Sequence, residues 1–427
     1  MKQVLVIGYV WPEPNSSAAG SRMLELIQVF LARGCAITFA SAAALSEHRF
    51  DLPSIGVAEK SIALNCSSFD AFIAELQPDA VLFDRFFTEE QFGWRVEQVC
   101  PSALRILDTE DLHSLRHARQ QLLKSAQKAC ANEKEKQSVA PITADSAQLY
   151  QQMCASDMAV REIAAIFRCD LSLMISQFEI ELLQCYFAVP AQLLFYCPFL
   201  SQPKIDSALL PEFSVRQHFI AIGNFRHEPN WDSVLWLKHQ LWPMIRTQLP
   251  QAELHIYGAY PPPKATQLHN AKEGFHIKGW AVDAQAVMQS VRVCLVPLRF
   301  GAGIKGKLMD AMRCGTPSIT TAIGAESMSG ELPWGGAVEN TAEAFAAAAV
   351  AHYQDEILWQ QKQQQGFSIL REYFYRADYS VVLQARLTQL AEQREHERYN
   401  NFIGQMLRHH SHKSTQYMGQ WIEAKNK

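Results

Sequence analysis

The stretch Val291–Thr321 constrains the fold more than any other. Val291-Arg292-Val293-Cys294-Leu295-Val296 is an apolar run of strand length, and Pro297 ends it. Glycines follow at 301, 303 and 306, interleaved with Lys305 and Lys307. Beyond them Leu308, Met309, Ala311 and Met312 fall on one side of a helix that Gly315 and Pro317 stop. Ser318-Ile319-Thr320-Thr321 then reads as a second buried strand. Strand, glycine loop, helix and strand in that order form the βαβ unit of a parallel sheet with right-handed crossovers.

That loop suits an anion. Glycines let the backbone approach a ligand closely, and a helix start offers free N–H groups and about half a positive charge. Lys305 and Lys307 add two full charges at the same place. A phosphate or diphosphate is the expected guest of Gly303, Ile304, Lys305, Gly306 and Lys307. Asp310, a turn further on, is placed for a ribose hydroxyl. The competing reading is a tight turn carrying two solvated lysines.

The same alternation begins at residue 2. Lys2–Gly8 reads as a buried strand, Tyr9–Gly20 as a loop, Ser21–Arg33 as a helix and Ala36–Ser41 as a strand. Strands are further expected at 60–64, 79–83, 104–107, 171–176 and 192–196, with helices between them. After the strand at 104–107 comes Asp108-Thr109-Glu110-Asp111-Leu112-His113, an acidic turn holding a histidine. Asp108 or Thr109 capping a helix explains part of it; Asp111 fixing the tautomer or raising the pKa of His113 explains the rest. Residues 124–157 are polar and read as a helical hairpin or excursion outside the core. Pro198, Pro203 and Pro211 punctuate a linker. The pattern then restarts with His218–Gly223, a polar loop, a helix over 231–246, and strands at 253–258 and 275–279. The expected domains are 1–200, 215–375 and a helical tail from 376 to 427.

With 427 residues there is length for two to three domains. A net charge of −4 gives no pull toward nucleic acid, and none is expected as a partner. The ten cysteines form no Cys-x-x-Cys pair, so reduced thiols are expected, with neither disulfides nor zinc. The first apolar run is only Val4–Ile7 and no apolar run reaches membrane-spanning length, so the expected place is the cytoplasm. From Arg386 onward seven Lys/Arg stand against four Glu. This tail is expected to pack on the first domain; the other reading is a polyanion or peripheral contact at the inner membrane face.

Three stretches resemble the GT-B glycosyltransferases, glycosyltransferase family 4 in particular. Gly223-Asn224-Phe225-Arg226-His227-Glu228-Pro229-Asn230 is similar to the loop after the first strand of that family's C-terminal domain. Gly279-Trp280-Ala281-Val282-Asp283 is similar to its base-binding turn. Gly301–Pro317, continued to Gly324-Ala325-Glu326, resembles its donor-phosphate region. The resemblance implies an α/β fold of two Rossmann-like domains facing a cleft. It implies transfer of a sugar from a UDP- or GDP-linked donor to a saccharide, lipid or protein acceptor, with retention and with neither metal nor cofactor. Donor contacts are then expected from Gly223, Asn224, Arg226, Gly258, Trp280, Asp310 and Glu326 beside the 303–307 loop. Ser17, Ala19 and Gly20 would face the donor sugar or acceptor, and His113 with Asp111 would be the catalytic pair. The family usually carries two glutamates eight positions apart; here those places hold Ala302 and Asp310. Where many members carry Arg and Lys after the first C-domain strand, this chain has Asn224 and Asn230. A degenerate binding protein is therefore the alternative to an active transferase. A dinucleotide dehydrogenase is disfavoured, because no Gly-x-Gly-x-x-Gly follows Val4–Ile7.

Overall fold

The computed structural model describes residues 1–200, 209–375 and 378–426. Pro203 of the expected linker lies outside them. The first sheet has seven parallel strands in the order β3-β2-β1-β4-β5-β6-β7. They are β1 (Gln3–Gly8), β2 (Ala36–Ser41), β3 (Ala58–Ser61), β4 (Ala80–Asp84), β5 (Leu104–Asp108), β6 (Leu171–Met174) and β7 (Leu194–Tyr196). The second sheet has six, in the order β10-β9-β8-β11-β12-β13, again parallel throughout. These are β8 (Phe219–Ile222), β9 (Leu254–Tyr257), β10 (Phe275–Gly279), β11 (Val293–Val296), β12 (Ser318–Thr320) and β13 (Gly336–Val338).

In both sheets the strand order reverses beside the first strand, between β1 and β4 and between β8 and β11. Open α/β sheets hold ligands outside the carboxyl ends of their strands at that reversal. The central strands are continuous apolar runs because helices cover both faces: Val4, Leu5, Val6 and Ile7 are fully buried, their side chains alternating between two cores.

Several local expectations differ from what the chain does. The strand expected at 60–64 is Ala58–Ser61, at the sheet's edge. The helix expected from Trp231 starts at Glu228 with Pro229 in its first turn, and it continues through a π-turn at 237–241 to Gln248. Helices Glu133–Ser138 and Ser146–Cys154 occupy the polar 124–157 region. Its exclusion from the core is corrected: Leu149 and Met153, one helical turn apart, are buried in the first domain's core. The polar residues around them mask that short stripe. Strand β13 escaped the pattern because it has only three residues, two of them small.

Helix Asp378–Asn400 crosses back to the first domain and buries Leu383, Leu387 and Leu390 against Val4, Val6 and Ile106. Helices Phe402–Leu407 and Lys413–Asn426 follow along the same domain, against helices Asp157–Arg168 and Arg85–Val99.

Candidate active site

The loop after β11 projects into the space between the domains. Gly303 takes a φ of +65°, which favours glycine, and a Cβ there would lie 2.8 Å from the Cβ of Asp111 in the first domain. Gly306 begins helix Gly306–Arg313, and a Cβ on it would lie 2.5 Å from that of Ala18. Ala18 begins helix Ala18–Ala32, whose N-cap Ser17 accepts from the Gly20 N–H. Two helix N-termini thus meet across the cleft. Lys305 is buried and donates to the Gly303 carbonyl at 2.6 Å. Lys307 donates to Asn230 Oδ1 at 2.6 Å. Burial pulls both ammonium groups down to about 8. Among the described residues neither lysine has a carboxylate within ion-pair distance; buried Lys305 and half-buried Lys307 each donate to a neutral oxygen.

The first domain supplies the opposite wall. Helix His113–Lys128 follows the acidic turn, but neither Asp108 nor Thr109 caps it, contrary to one reading of the turn. Asp108 is buried in an ion pair with Arg22 at 2.9 Å, and the Thr109 hydroxyl donates to the Leu173 carbonyl. The helix's free amides go to carboxylates from far along the chain. Glu162 accepts from the backbone of His113 and Ser114, and Glu179 Oε1 accepts from Leu112. Glu179 Oε1 also accepts from the Gly303 amide at 2.7 Å, joining the two walls. Burial pushes Glu179 up to about 8 and Glu162 up to about 7.

His113 lies edge-on to Phe86 and Phe87, with Nε2 3.5 Å from Asp111 Oδ1. Burial pushes its pKa down to about 3, against the opposing pull of Asp111, so the ring is neutral near pH 7. Asp111 is bound more closely by Arg116 than by His113, and the Arg116 guanidinium above all holds its carboxyl well below the usual range despite burial.

The remaining expected residues surround this centre with different neighbours. Gly223 backs onto Lys307, and Gly258 packs on the Gly223 carbonyl, where a Cβ would approach to 2.1 Å. Asn224 Oδ1 accepts from the Arg226 amide, and the Arg226 guanidinium lies 3.7 Å above the ring of Tyr260. Trp280 stacks on His48 of the first domain at 4.4 Å and 12°. Asp310 pairs with Arg313 at 3.3 Å. Glu326 is held by both Arg119 nitrogens, at 2.9 and 2.5 Å, and Arg119 also donates to the Gly301 carbonyl at 2.8 Å. Gly20 sits against the Glu13 backbone, where a Cβ would approach to 2.5 Å, and Ala19 stands half-buried between Ala18 and Gly20. Arg116, Arg119 and Glu179 were missed from sequence. Glu179 shows there only as a helix-start acid three residues after Ser176, with no sign of its distant partner.

Two Rossmann-like domains, with a loop of glycines and lysines at the second sheet's reversal, make up the GT-B fold. Residues 216–355, within the second domain, match the family described as Glycosyl transferases group 1. No curated protein sequence matches the chain. Among solved structures it is similar to HepE from Anabaena, with a TM-score of 0.63, 12% identity, and 91% of this chain and 100% of that one covered. It is also similar to a sucrose-phosphate synthase from Thermosynechococcus elongatus (TM-score 0.61, 16% identity, 91% and 99% covered). TarM from S. aureus gives a TM-score of 0.53 at 11% identity, with 75% and 58% covered. At these identities the likeness shows the fold.

Proposed function

We propose that the protein transfers a sugar from a nucleoside-diphosphate donor, held mainly by the second domain, to a saccharide, lipid or protein acceptor on the first. The carrying observation is the buried Lys305 and half-buried Lys307, neither with a carboxylate within ion-pair distance among the described residues, at a helix start facing the cleft. A diphosphate there receives two charge-assisted contacts and the helix amides. These groups also meet the negative charge that builds on the leaving diphosphate, where fixed positive groups lower a barrier most. Lysines in that role take the place of a divalent cation, which supports a metal-independent reaction; retention rests on the family resemblance. HepE has been solved with UDP-glucose, and TarM with UDP, fondaparinux and α-GlcNAc-glycerol, which supports a uridine-linked donor and a glycan acceptor. His113, neutral and beside Asp111, is suited to hydrogen-bond a sugar hydroxyl. The test is thermal shift with UDP- and GDP-sugars, since binding to the native state raises its stability by mass action, followed by nucleoside-diphosphate release. Release lost in Lys305→Ala/Lys307→Ala supports transfer; no donor-induced shift in any screen refutes it.

A second reading is a binding protein without turnover. Ala302 favours it, standing where the family carries a carboxylate, and so does Glu179, which occupies an amide of the donor loop. Donor binding without release across a broad acceptor panel would select this reading.

A further inference from the structure

The tail helices carry a surface that the transfer reaction does not use. Among the described residues, twenty large hydrophobic side chains are exposed, and seven of them fall between Tyr399 and Trp421. That concentration separates this stretch from the scattered exposed apolar residues normal on any surface. Phe402, Ile403 and Met406 lead, and Tyr417, Met418 and Trp421 continue at helical spacing, with Lys413 between the groups and Lys425 over the Trp421 ring at 5.2 Å. The opposite face is committed to the first domain. Gly404 backs onto the Phe167 carbonyl and Asn401 donates to it at 2.7 Å. Arg408 reaches Glu97 at 3.3 Å, Gly419 lies on Trp94, and Ser67 donates to Glu423 at 2.6 Å. The helix is therefore fixed, with its apolar side outward.

Charge selects the occupant. Between residues 399 and 426 the basic residues are Arg408, Lys413 and Lys425, and the only acid is Glu423, turned inward to Ser67. A π-turn at Arg408–His412 lies beside a cavity of about 500 Å³ whose wall holds the Arg408–Glu97 pair, Gln98, Gln405 and Gln416, and Lys413 at its edge. Aromatic and aliphatic side chains flanked by lysines match the layers of a lipid–water interface: acyl chains, then anionic headgroups. No helix among the described residues is long and apolar enough to cross a membrane, so the contact is with the surface.

We propose that the outer face of Phe402–Lys425 docks on an anionic lipid surface, with the exposed Lys413 and Lys425 meeting its phosphate headgroups. Docking there lays the side of the first domain along the bilayer. The test is co-sedimentation of the full chain with vesicles of phosphatidylcholine alone or mixed with phosphatidylglycerol, at low and high salt, with sedimentation equilibrium in parallel. Binding is expected on the mixed vesicles and weakened by salt. Lys413→Ala should weaken it about fivefold, and Phe402→Ser/Trp421→Ser about tenfold or more. These side chains are exposed, so an unchanged melting temperature shows that the fold is intact. Failure of the unaltered protein to sediment with mixed vesicles overturns the proposal, as does equal binding by the Phe402/Trp421 variant. A stable dimer that the same variant dissociates also overturns it, assigning the face to a second copy.

Discussion

Lys305 gives the sharpest test of the proposed donor site. Burial brings its ammonium from 10.5 to about 8, so between those values the unfolded chain binds the proton more readily than the folded one. At pH 7 the empty protein therefore carries a destabilisation of about 3 kcal/mol from this residue, at about 1.4 kcal/mol per pKa unit. Lys305→Met keeps the length and removes the charge, so the empty variant should melt higher than the parent. An anion in the loop should reverse the ranking, because a hydrogen bond to a charged group contributes about 1.5–3 kcal/mol. At pH 7 the variant should then bind a nucleotide-sugar about 10- to 100-fold more weakly. Raising the pH from 7 to 9 neutralises most of a lysine with this pKa, so parent affinity should drop up to about tenfold for each lysine involved. The variant should show a shallower dependence. Calorimetric titration with UDP-glucose and GDP-mannose across this range, with apo melting curves, reads every term. Equal affinity in parent and variant, or affinity flat to pH 9, refutes the claim that these ammonium groups hold the diphosphate.

Arg119→Ala breaks a largely buried pair joining the domains and should destabilise by about 3–5 kcal/mol, with faster amide exchange at 301–304; a double-mutant cycle with Glu326→Ala isolates the coupling. Gly303→Ala places a Cβ 2.8 Å from the Cβ of Asp111 at a φ of +65°, so it should cost about 1–3 kcal/mol and lower donor affinity, read by chemical denaturation and titration. His113 protonates more readily unfolded than folded, so stability should fall as pH drops from 6.5 toward about 3, and His113→Gln should flatten that limb of a melting-temperature profile. Glu179 works in the opposite direction: its folded pKa is about 8, so stability should fall as pH rises from 4.5 to 8, and Glu179→Gln should remove that slope.

Both parallel sheets could be read from apolar runs such as Val4–Ile7 and Val293–Val296, because strands covered on both faces need no polar alternation. The glycine loop was legible because conformational freedom, charge and a helix start coincide within a few residues. What pattern could not supply was partnership across long separations. The capping of helix His113–Lys128 by Glu162 and Glu179 looked like a task for nearby Asp108 and Thr109, since local candidates satisfy the same rule. Arg119 lies on an ordinary amphipathic helix, and its partner is 207 residues away. Leu149 and Met153 were hidden because two apolar residues in a polar segment fall below any periodicity.

The return of helix Asp378–Asn400 bears on how the protein is made. Leu383, Leu387 and Leu390 complete the core beside β1, so the earliest strands to be synthesised wait for a helix that follows the entire second domain. A nascent chain released short of residue 378 would leave that flank of the first sheet open to water, and to whatever apolar surface reaches it first.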